Sequence, residues 1–235
     1  MIPLRDDHTC VKAPVVTMGL LVVTIGVFLY QFSLSPERGA WLFHVYGFIP
    51  ARWGASLQGE ASEAFAGVMV SLVTNLFLHA GWLHLMTNMV YLWTFSRKVE
   101  DVLGRARFLV FYGLCGMGAV IGYACVHLTS VVPMVGASSA ISGVLGAYLL
   151  LAPRARILLL MPGYGFVKVS AWIVLVGWFG LQVLMSMFGE SDGGGVGFGV
   201  HVAGFVIGLA LFWGWARVSD YPLWVGKLRL LRVVS

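Results

Sequence analysis

Charged residues are scarce in this chain. Asp, Glu, Lys and Arg make up 11% of its 235 residues, whereas 59% are hydrophobic. A soluble globular domain carries about 25% charged residues, so this composition excludes that class. The net charge of +5 does not indicate a nucleic-acid partner, because in a membrane protein the location of each basic residue matters more than their sum. We predict an all-α polytopic protein embedded in the lipid bilayer.

Cysteine is also rare. The chain has three cysteines, Cys10, Cys115 and Cys125, which is an odd number. They form no Cys-x-x-Cys pair, and no His/Cys spacing typical of a zinc site is present. The sequence therefore predicts no structural disulfide, no metal and no cofactor.

Long apolar runs dominate the chain instead. Six of them are predicted to be membrane helices, for which about 20 apolar residues suffice. They cover residues 15–32, 71–95, 108–128, 138–151, 167–188 and 200–216. A signal peptide is the alternative for the first run, but no clear small-residue cleavage site follows it. We expect an N-terminal tail (1–14), one six-helix domain (15–216) and a basic C-terminal tail (217–235).

Basic residues alternate between the connections. All of the 15 except Arg38 and Arg52 fall in the two tails and in the second and fourth loops. Cytoplasmic loops carry an excess of Lys and Arg. Both termini are therefore predicted to be cytoplasmic, in a multi-pass protein of the cell membrane.

Three connections have a distinct composition. Residues 33–70 are long and rich in aromatics, which favours short helices at the membrane interface, because long structureless connections are uncommon. Residues 97–107 are predicted to be a charged turn, and residues 190–199 a flexible Gly-rich loop.

Polar side chains on three segments are predicted to share one depth. In the topology above, the second segment runs from the outer to the inner side, which places His84 and Asn88 in its outer half. Ser138 begins the fourth segment and His201 lies near the start of the sixth, both at the outer side. These four residues are therefore candidates for one site.

Two of these segments also carry small residues at helical spacing. The matching positions are Ser138, Ser142 and Gly146 on the fourth segment, and His201, Gly204 and Gly208 on the sixth. Small residues let helix backbones approach closely in a bilayer. Contact between the two faces would bring His201 onto Ser138.

The residue types suggest nucleophilic catalysis. A serine hydroxyl needs a base within hydrogen-bond reach, and a neutral His201 can take the proton of Ser138 and return it to a leaving amine. The oxyanion formed by attack on a peptide needs fixed donors. The backbone N–H of Ser138, the Asn88 amide and a ring N–H of His84 are candidates.

Several polar residues have simpler explanations. A serine in a membrane helix usually only packs or bonds to its own helix, and we interpret Ser139 and Ser142 in this way. Asn75 and Gln182 are predicted to make helix-to-helix bonds. Two roles are open for His79: a structural bond to the first loop, or support of the site.

Three patches of the sequence resemble the rhomboid family of intramembrane serine proteases. They are His79-Ala-Gly-Trp-Leu-His84-Leu-Met-Thr-Asn88, Gly136-Ala-Ser138-Ser-Ala and His201-Val-Ala-Gly204-Phe-Val-Ile-Gly208. They occur in the family's order, on its second, fourth and sixth helices, and the resemblance covers roughly residues 40–215.

The resemblance implies a six-helix bundle with Ser138 and His201 as a catalytic dyad. It also implies oxyanion stabilisation by His84 and Asn88. Substrates would be other membrane proteins, cut in or near a transmembrane segment. The fifth segment and residues 190–199 would be the moving parts at the substrate entrance.

Two departures from the family pattern leave other functions open. Relatives often have glycine where this chain has Ser139, and many have a Trp-Arg pair near the position of Val70-Ser71. Both departures motivate the alternative of a non-cleaving relative that binds membrane helices. A small transporter is a third hypothesis, but no internal repeat or pair of broken helices supports it.

Overall fold

The structure, a computed structural model, describes residues 2–7, 11–58, 62–188, 197–219 and 221. Helices account for most of these residues, and the other described elements are three short strands and a 3-10 turn (Asn75–Phe77). In chain order they are β1 (Ile2–Asp6), α1 (Val15–Phe32), α2 (Pro36–Tyr46), α3 (Pro50–Leu57), α4 (Ser62–Thr74), α5 (Trp82–Leu103), α6 (Arg105–Val126), α7 (Ser138–Leu151), β2 (Arg156–Met161), β3 (Gly165–Ser170), α8 (Ala171–Phe188) and α9 (Phe198–Val218).

Several described helices have the length and composition of membrane spans. Four helices are each long and apolar enough to cross a membrane: α1, α6, α8 and α9. Helices α4 and α5 add a fifth span if this bent pair is counted as one. Helix α7 is apolar but has only 14 residues. The chain is therefore a multi-pass integral membrane protein, as its composition predicted.

The predicted second segment, residues 71–95, is wrong as a single helix. Helix α4 ends at Thr74, a 3-10 turn covers Asn75–Phe77, and α5 begins at Trp82. The stretches Phe65–Phe77 and Trp82–Leu103 meet at 81°. Hydropathy does not reveal this break, because apolar residues continue on both sides of it.

Short helices fill the first connection, as predicted. Pro36 and Pro50 stand at the beginnings of α2 and α3, where a residue without an N–H costs nothing because that donor has no intrahelical partner. Phe48 then pairs with Met134 in an isolated antiparallel bridge. The first connection is thereby joined to the residues that precede α7.

The charged turn predicted at residues 97–107 is mostly helical. Helix α5 continues to Leu103 and α6 begins at Arg105, so only Gly104 separates them. Gly104 has φ of 79°, a conformation that suits glycine at a helix C-terminus. The guanidinium carbon of Arg97 lies 4.6 Å from the ring centroid of Trp93 on the same helix.

A three-stranded antiparallel sheet in the order β1-β2-β3 was not predicted. Residues 2–6, assigned to the N-terminal tail, form the edge strand β1. Residues 167–170, assigned to the fifth membrane segment, belong to β3, so α8 begins at Ala171. Gly163 and Gly165 have φ of 82° and 72° at the β2–β3 turn, which only glycine adopts readily.

The first turn of α8 is fixed to the chain that follows α7. The N–H of Ala171 donates to the carbonyl of Ala155 at 2.8 Å, and that of Trp172 donates to Pro153 at 2.9 Å. Since the first N–H groups of a helix have no intrahelical partner, these bonds both satisfy the donors and anchor this end of α8.

A buried carboxylate closes the start of α1. Glu100 on α5 is 2% exposed and accepts from the N–H of Val16 at 2.9 Å, the N–H of Thr17 at 2.8 Å and the Thr17 hydroxyl at 2.7 Å. An anion at a helix N-terminus is stabilised by the free N–H groups and the helix dipole. Glu100 therefore fixes α1 against α5.

Helices α7 and α9 pack backbone against backbone. A Cβ atom added to Gly208 would collide with the main chain of Gly143, and one added to Gly204 would collide with the carbonyl of Ser139. The predicted contact between the small faces of these two helices is present, although Gly143 was not part of the prediction. This packing positions the start of α7 beside the start of α9.

Candidate active site

Ser138 is the first residue of α7. Ala137 is the N-cap residue, and the chain enters it from Gly136, which has φ of 123°. The first N–H groups of a helix have no intrahelical acceptor, so the backbone N–H of Ser138 is available at this end. Ser138 is half-buried.

The hydroxyl of Ser138 meets the imidazole of His201. Its Oγ lies 2.9 Å from Nε2 of His201, within hydrogen-bond range. His201 is on α9 and is 9% exposed. The geometry matches a nucleophile with an adjacent base.

The other ring nitrogen of His201 meets Gln182 on α8. The distance from Nδ1 of His201 to Oε1 of Gln182 is 2.8 Å, and Gln182 is 7% exposed. The predicted helix-to-helix bond of Gln182 is therefore present, but its partner was not foreseen. The ring of Trp178, one turn earlier on α8, has its centroid 6.0 Å from that of His201.

His84 lies against Gly136 on the other side of Ser138. A Cβ atom on Gly136 would be 2.8 Å from Nε2 of His84 and 3.6 Å from Oγ of Ser138. The ring and the hydroxyl thus border the same small space, which is open only because residue 136 has no side chain. The Ala80 N–H points to Nδ1 of His84 at 3.5 Å. When Nδ1 accepts, the proton of the neutral ring is on Nε2, the nitrogen that borders this space.

Asn88 lies one turn after His84 on α5. It is 5% exposed, and its Nδ2 has no hydrogen-bond partner among the described residues. A buried donor without a partner costs about 1–3 kcal/mol and is uncommon in a native protein. An unused donor of this kind is what an anion-binding position requires before its ligand arrives.

His79 is fully buried beside His84. Its main chain pairs with the side chain of Gln31 on α1, through a 2.6 Å bond to the carbonyl and a 3.3 Å bond from the N–H. Its Nδ1 lies 3.3 Å from the carbonyl of Phe77, and its ring centroid is 5.0 Å from that of His84. His79 therefore makes its structural bond to α1 rather than to the first loop. Its ring packs beside the ring of His84.

Three other polar residues were also assigned packing or hydrogen-bonding roles from the sequence. Ser142 donates to the carbonyl of Ser138 at 2.6 Å, so its own-helix role is as predicted. The prediction for Asn75 was wrong, because its amide bonds the carbonyls of Ser71 and Leu72, only four and three positions earlier at the end of α4. Ser139 is buried, and its Oγ has no partner within the described parts of the chain.

Sequence reasoning missed the contribution of α8 to the site. Trp178 and Gln182 are four residues apart and so share one helix face, and Gln182 is the one amide side chain in a largely apolar helix. These two signals together could have indicated a face directed at His201.

Most of the loop predicted at residues 190–199 lies outside the described residues.

Known proteins match most of the chain. The Rhomboid domain family matches residues 66–218. The Bacillus subtilis rhomboid YdcA is 34% identical over 124 residues, which are 50% of this chain and 59% of that protein. Rhomboid protein 1, mitochondrial, of Saccharomyces cerevisiae is 30% identical over 151 residues, 61% of this chain and 41% of that protein.

A third relative, Rhomboid protease GluP of Bacillus subtilis, is 38% identical over 97 residues, 41% of this chain and 18% of that protein. The aligned part thus spans less than two thirds of each of these relatives. The family match, in contrast, covers more than half of this chain and includes α5, α7 and α9 with their polar residues. The chain belongs to the rhomboid family.

Proposed function

We propose that this protein is an intramembrane serine endopeptidase that cleaves other membrane proteins in or near a transmembrane segment. The observation that carries the proposal is the 2.9 Å contact between Oγ of Ser138 and Nε2 of His201. The match to Rhomboid protease GluP supports the same chemistry. Ser138 is assigned as the nucleophile and His201 as the general base.

The first half of the reaction forms an acyl-enzyme. Nε2 of His201 takes the hydroxyl proton as Oγ of Ser138 attacks the scissile carbonyl carbon, and the carbonyl oxygen becomes an oxyanion. The imidazolium then gives its proton to the leaving nitrogen, the C–N bond breaks, and the new amine leaves. In the second half, water attacks the ester with His201 as base, which releases the acid and restores the hydroxyl.

The oxyanion is assigned to the space beside Gly136. The ring N–H of His84 borders it, the Asn88 amide lies one helical turn away, and the N–H of Ser138 begins α7. Donors that are fixed before the charge develops are worth more in a site with little water. His79 is assigned a supporting role behind His84, while Gly204 and Gly208 keep α7 and α9 in contact.

We further propose a membrane topology for this site. Residues 15–216 form the membrane domain, with α1, α5, α6, α7, α8 and α9 as six spans and both termini in the cytoplasm. Helix α7 measures about 21 Å at 1.5 Å per residue, shorter than the roughly 30 Å hydrocarbon layer. Ser138 then lies below the outer surface, where water above it can reach the acyl-enzyme.

The compartment is a separate part of the proposal. We assign the chain to a cell membrane, whereas the name of the yeast relative points to mitochondria. Localisation of a tagged protein in its own cells distinguishes the two. The bilayer and transmembrane substrates are the proposed partners in either case, and no nucleic acid is involved.

A fluorophosphonate probe tests the proposal directly, because it reacts only with an activated serine. The wild type in detergent should be labelled, whereas Ser138→Ala and His201→Ala should not. Ser142→Ala is a matched control on α7, since its hydroxyl bonds only to its own helix. Cleavage of a panel of single-span substrates should follow the same order.

The alternative is a non-cleaving relative that binds membrane helices. Ser139 is the feature that favours it. That function requires co-purification of intact substrates and an unlabelled wild type. Labelling of the wild type that survives Ser138→Ala would rule out the assigned nucleophile.

A further inference from the structure

Gln182 makes a buried contact that the Ser–His dyad alone does not need. It lies on α8, an apolar helix, and is 7% exposed. Burying an amide without a partner is costly, and the partner observed here is Nδ1 of His201, 2.8 Å from Oε1 of Gln182. The contact connects a third helix to the assigned base.

The chemistry of an amide oxygen determines the protonation of the ring. A carbonyl oxygen can only accept a hydrogen bond, so Nδ1 of His201 must carry the ring proton. In the neutral imidazole Nε2 then has the free lone pair, and it is Nε2 that lies 2.9 Å from Oγ of Ser138. This is the one neutral tautomer that can accept the hydroxyl proton.

We propose that Gln182 is a positioning residue that holds His201 in the tautomer and orientation required to deprotonate Ser138. The inference rests on the proposed function above. During the reaction the hydroxyl proton moves to Nε2 while Nδ1–H stays bonded to Gln182. The imidazolium therefore forms without a change of ring orientation.

An amide suits this position better than a carboxylate. The sequences of α7, α8 and α9 contain no Asp or Glu. A charged carboxylate inside the bilayer would cost roughly 2.5–3.5 kcal/mol, whereas a neutral amide supplies the same acceptor geometry without that cost. Trp178 lies on the same face of α8, its ring plane inclined 35° to that of His201, and restricts the ring from the side.

Two substitutions separate this role from simple packing. Gln182→Met keeps the side-chain length but removes the acceptor, and Gln182→Glu keeps an acceptor oxygen. Ser186→Ala is the matched control, since Ser186 is on the same helix and bonds only to the carbonyl of Val183.

We expect Gln182→Met to lower kcat for a transmembrane substrate, and the rate of fluorophosphonate labelling, by roughly tenfold to a hundredfold. KM should be unchanged, because Gln182 is buried against His201. Gln182→Glu should keep most of the activity in the protein that remains folded, because it keeps the acceptor oxygen, while its buried carboxylate should lower the unfolding temperature. Ser186→Ala should keep all of the activity. The inference is overturned if Gln182→Met has the wild-type kcat and labelling rate. It is also overturned if folded Gln182→Met and Gln182→Glu lose the same share of kcat.

Nitrogen NMR of histidine-labelled protein gives a readout that requires no activity. In the wild type, Nδ1 of His201 should have the shift of a protonated ring nitrogen and Nε2 that of an unprotonated one, with the signals assigned by their loss in His201→Gln. A proton on Nε2 overturns the inference. A wild type that is not labelled by the probe, yet has the expected tautomer, overturns the proposed function and leaves the Gln182 bond established.

Discussion

Oγ of Ser138 and Nε2 of His201 lie 2.9 Å apart, although 63 positions separate these residues in the chain. The proximity depends on how closely α7 and α9 pack. Gly204 and Gly208 follow His201 at successive turns of α9, and each lies against the main chain of α7. The distance between the hydroxyl oxygen and the imidazole nitrogen thus depends on the two glycines at the contact between the helices.

A methyl group at Gly208 should separate the two helices. Its Cβ would overlap the main chain of Gly143, and backbone cannot move aside as a side chain can. We expect Gly208→Ala to destabilise the protein by about 1–3 kcal/mol or more and to abolish probe labelling. Thermal unfolding in detergent measures the first effect and labelling the second.

Gly214→Ala on the same helix is the control. Apart from the backbone of its own helix and its chain neighbours, no atom of the described residues lies within 4 Å of a Cβ at Gly214. Alanine there should leave stability unchanged or raise it by up to about 1 kcal/mol, because alanine is the better helix former. Equal unfolding temperatures for the two variants would contradict the backbone contact.

Removing the amide of Asn88 should reduce activity without reducing stability. Its Nδ2 is buried and has no partner among the described residues, so Asn88→Ala removes no hydrogen bond that this donor makes to them. If the amide stabilises the oxyanion, labelling and cleavage should slow about 100- to 1000-fold.

Thr94→Val on the same helix should give the opposite pattern. The Thr94 hydroxyl donates to the carbonyl of Pro3 at 3.0 Å, so its loss should lower the unfolding temperature while the labelling rate of the folded protein persists. A lower unfolding temperature in Asn88→Ala with normal labelling would make Asn88 a structural residue.

A side chain at Gly136 should displace His84. Residue 136 has φ of 123°, and a Cβ there would lie 2.8 Å from Nε2 of His84. We expect Gly136→Ala to lose most of its labelling. Gly104→Ala is a matched control, because Gly104 also has a positive φ of 79° but its Cβ would meet no neighbour within 4 Å in the described parts of the chain. Both variants carry backbone strain. If both lost labelling, strain alone would explain the loss in Gly136→Ala, and displacement of His84 would not be needed.

Glu100 should be important for stability but not for catalysis. Glu100→Ala leaves two N–H groups of α1 and the Thr17 hydroxyl without their acceptor, and each buried unsatisfied group costs about 1–3 kcal/mol. Thr17→Val removes one of these bonds and should have a smaller effect on the unfolding temperature. Both variants should be labelled normally while folded. A selective loss of labelling in Glu100→Ala would show an unexpected connection to the site.

The proximity of Ser138 and His201 could be predicted because the bilayer restricts the possibilities. Depth follows from the order of the spans, and helix faces follow from the 3.6-residue period, so Ser138 and His201 could be paired without coordinates. The partner of Gln182 could not, because the rotation of α8 about its axis depends on its neighbours. Hydropathy indicates that α8 is buried in lipid and protein but not which face meets α9.

The fold was predicted less completely where pairing is distant in sequence. Strand β1 pairs with β2 about 150 positions later, with Ile2 opposite Leu160, and no local pattern indicates such a partner. The β2–β3 hairpin did leave a local signal in Gly163 and Gly165, but the apolar run beyond them was interpreted as membrane helix. The break before α5 was missed for the reason already given, since the apolar residues continue across it.

Hydrogen bonds hold the first turn of α8 in place, so a tilt of this helix about that end would displace its later residues the most. Gln182 is 11 residues beyond Ala171, or about 16 Å along the axis at 1.5 Å per residue. A tilt of about 10° about the hydrogen-bonded end would move Gln182 by roughly 3 Å, more than the 2.8 Å bond to His201 tolerates. Such a tilt would take Oε1 of Gln182 out of reach of Nδ1 of His201, so the orientation of α8 would determine whether the imidazole keeps its acceptor.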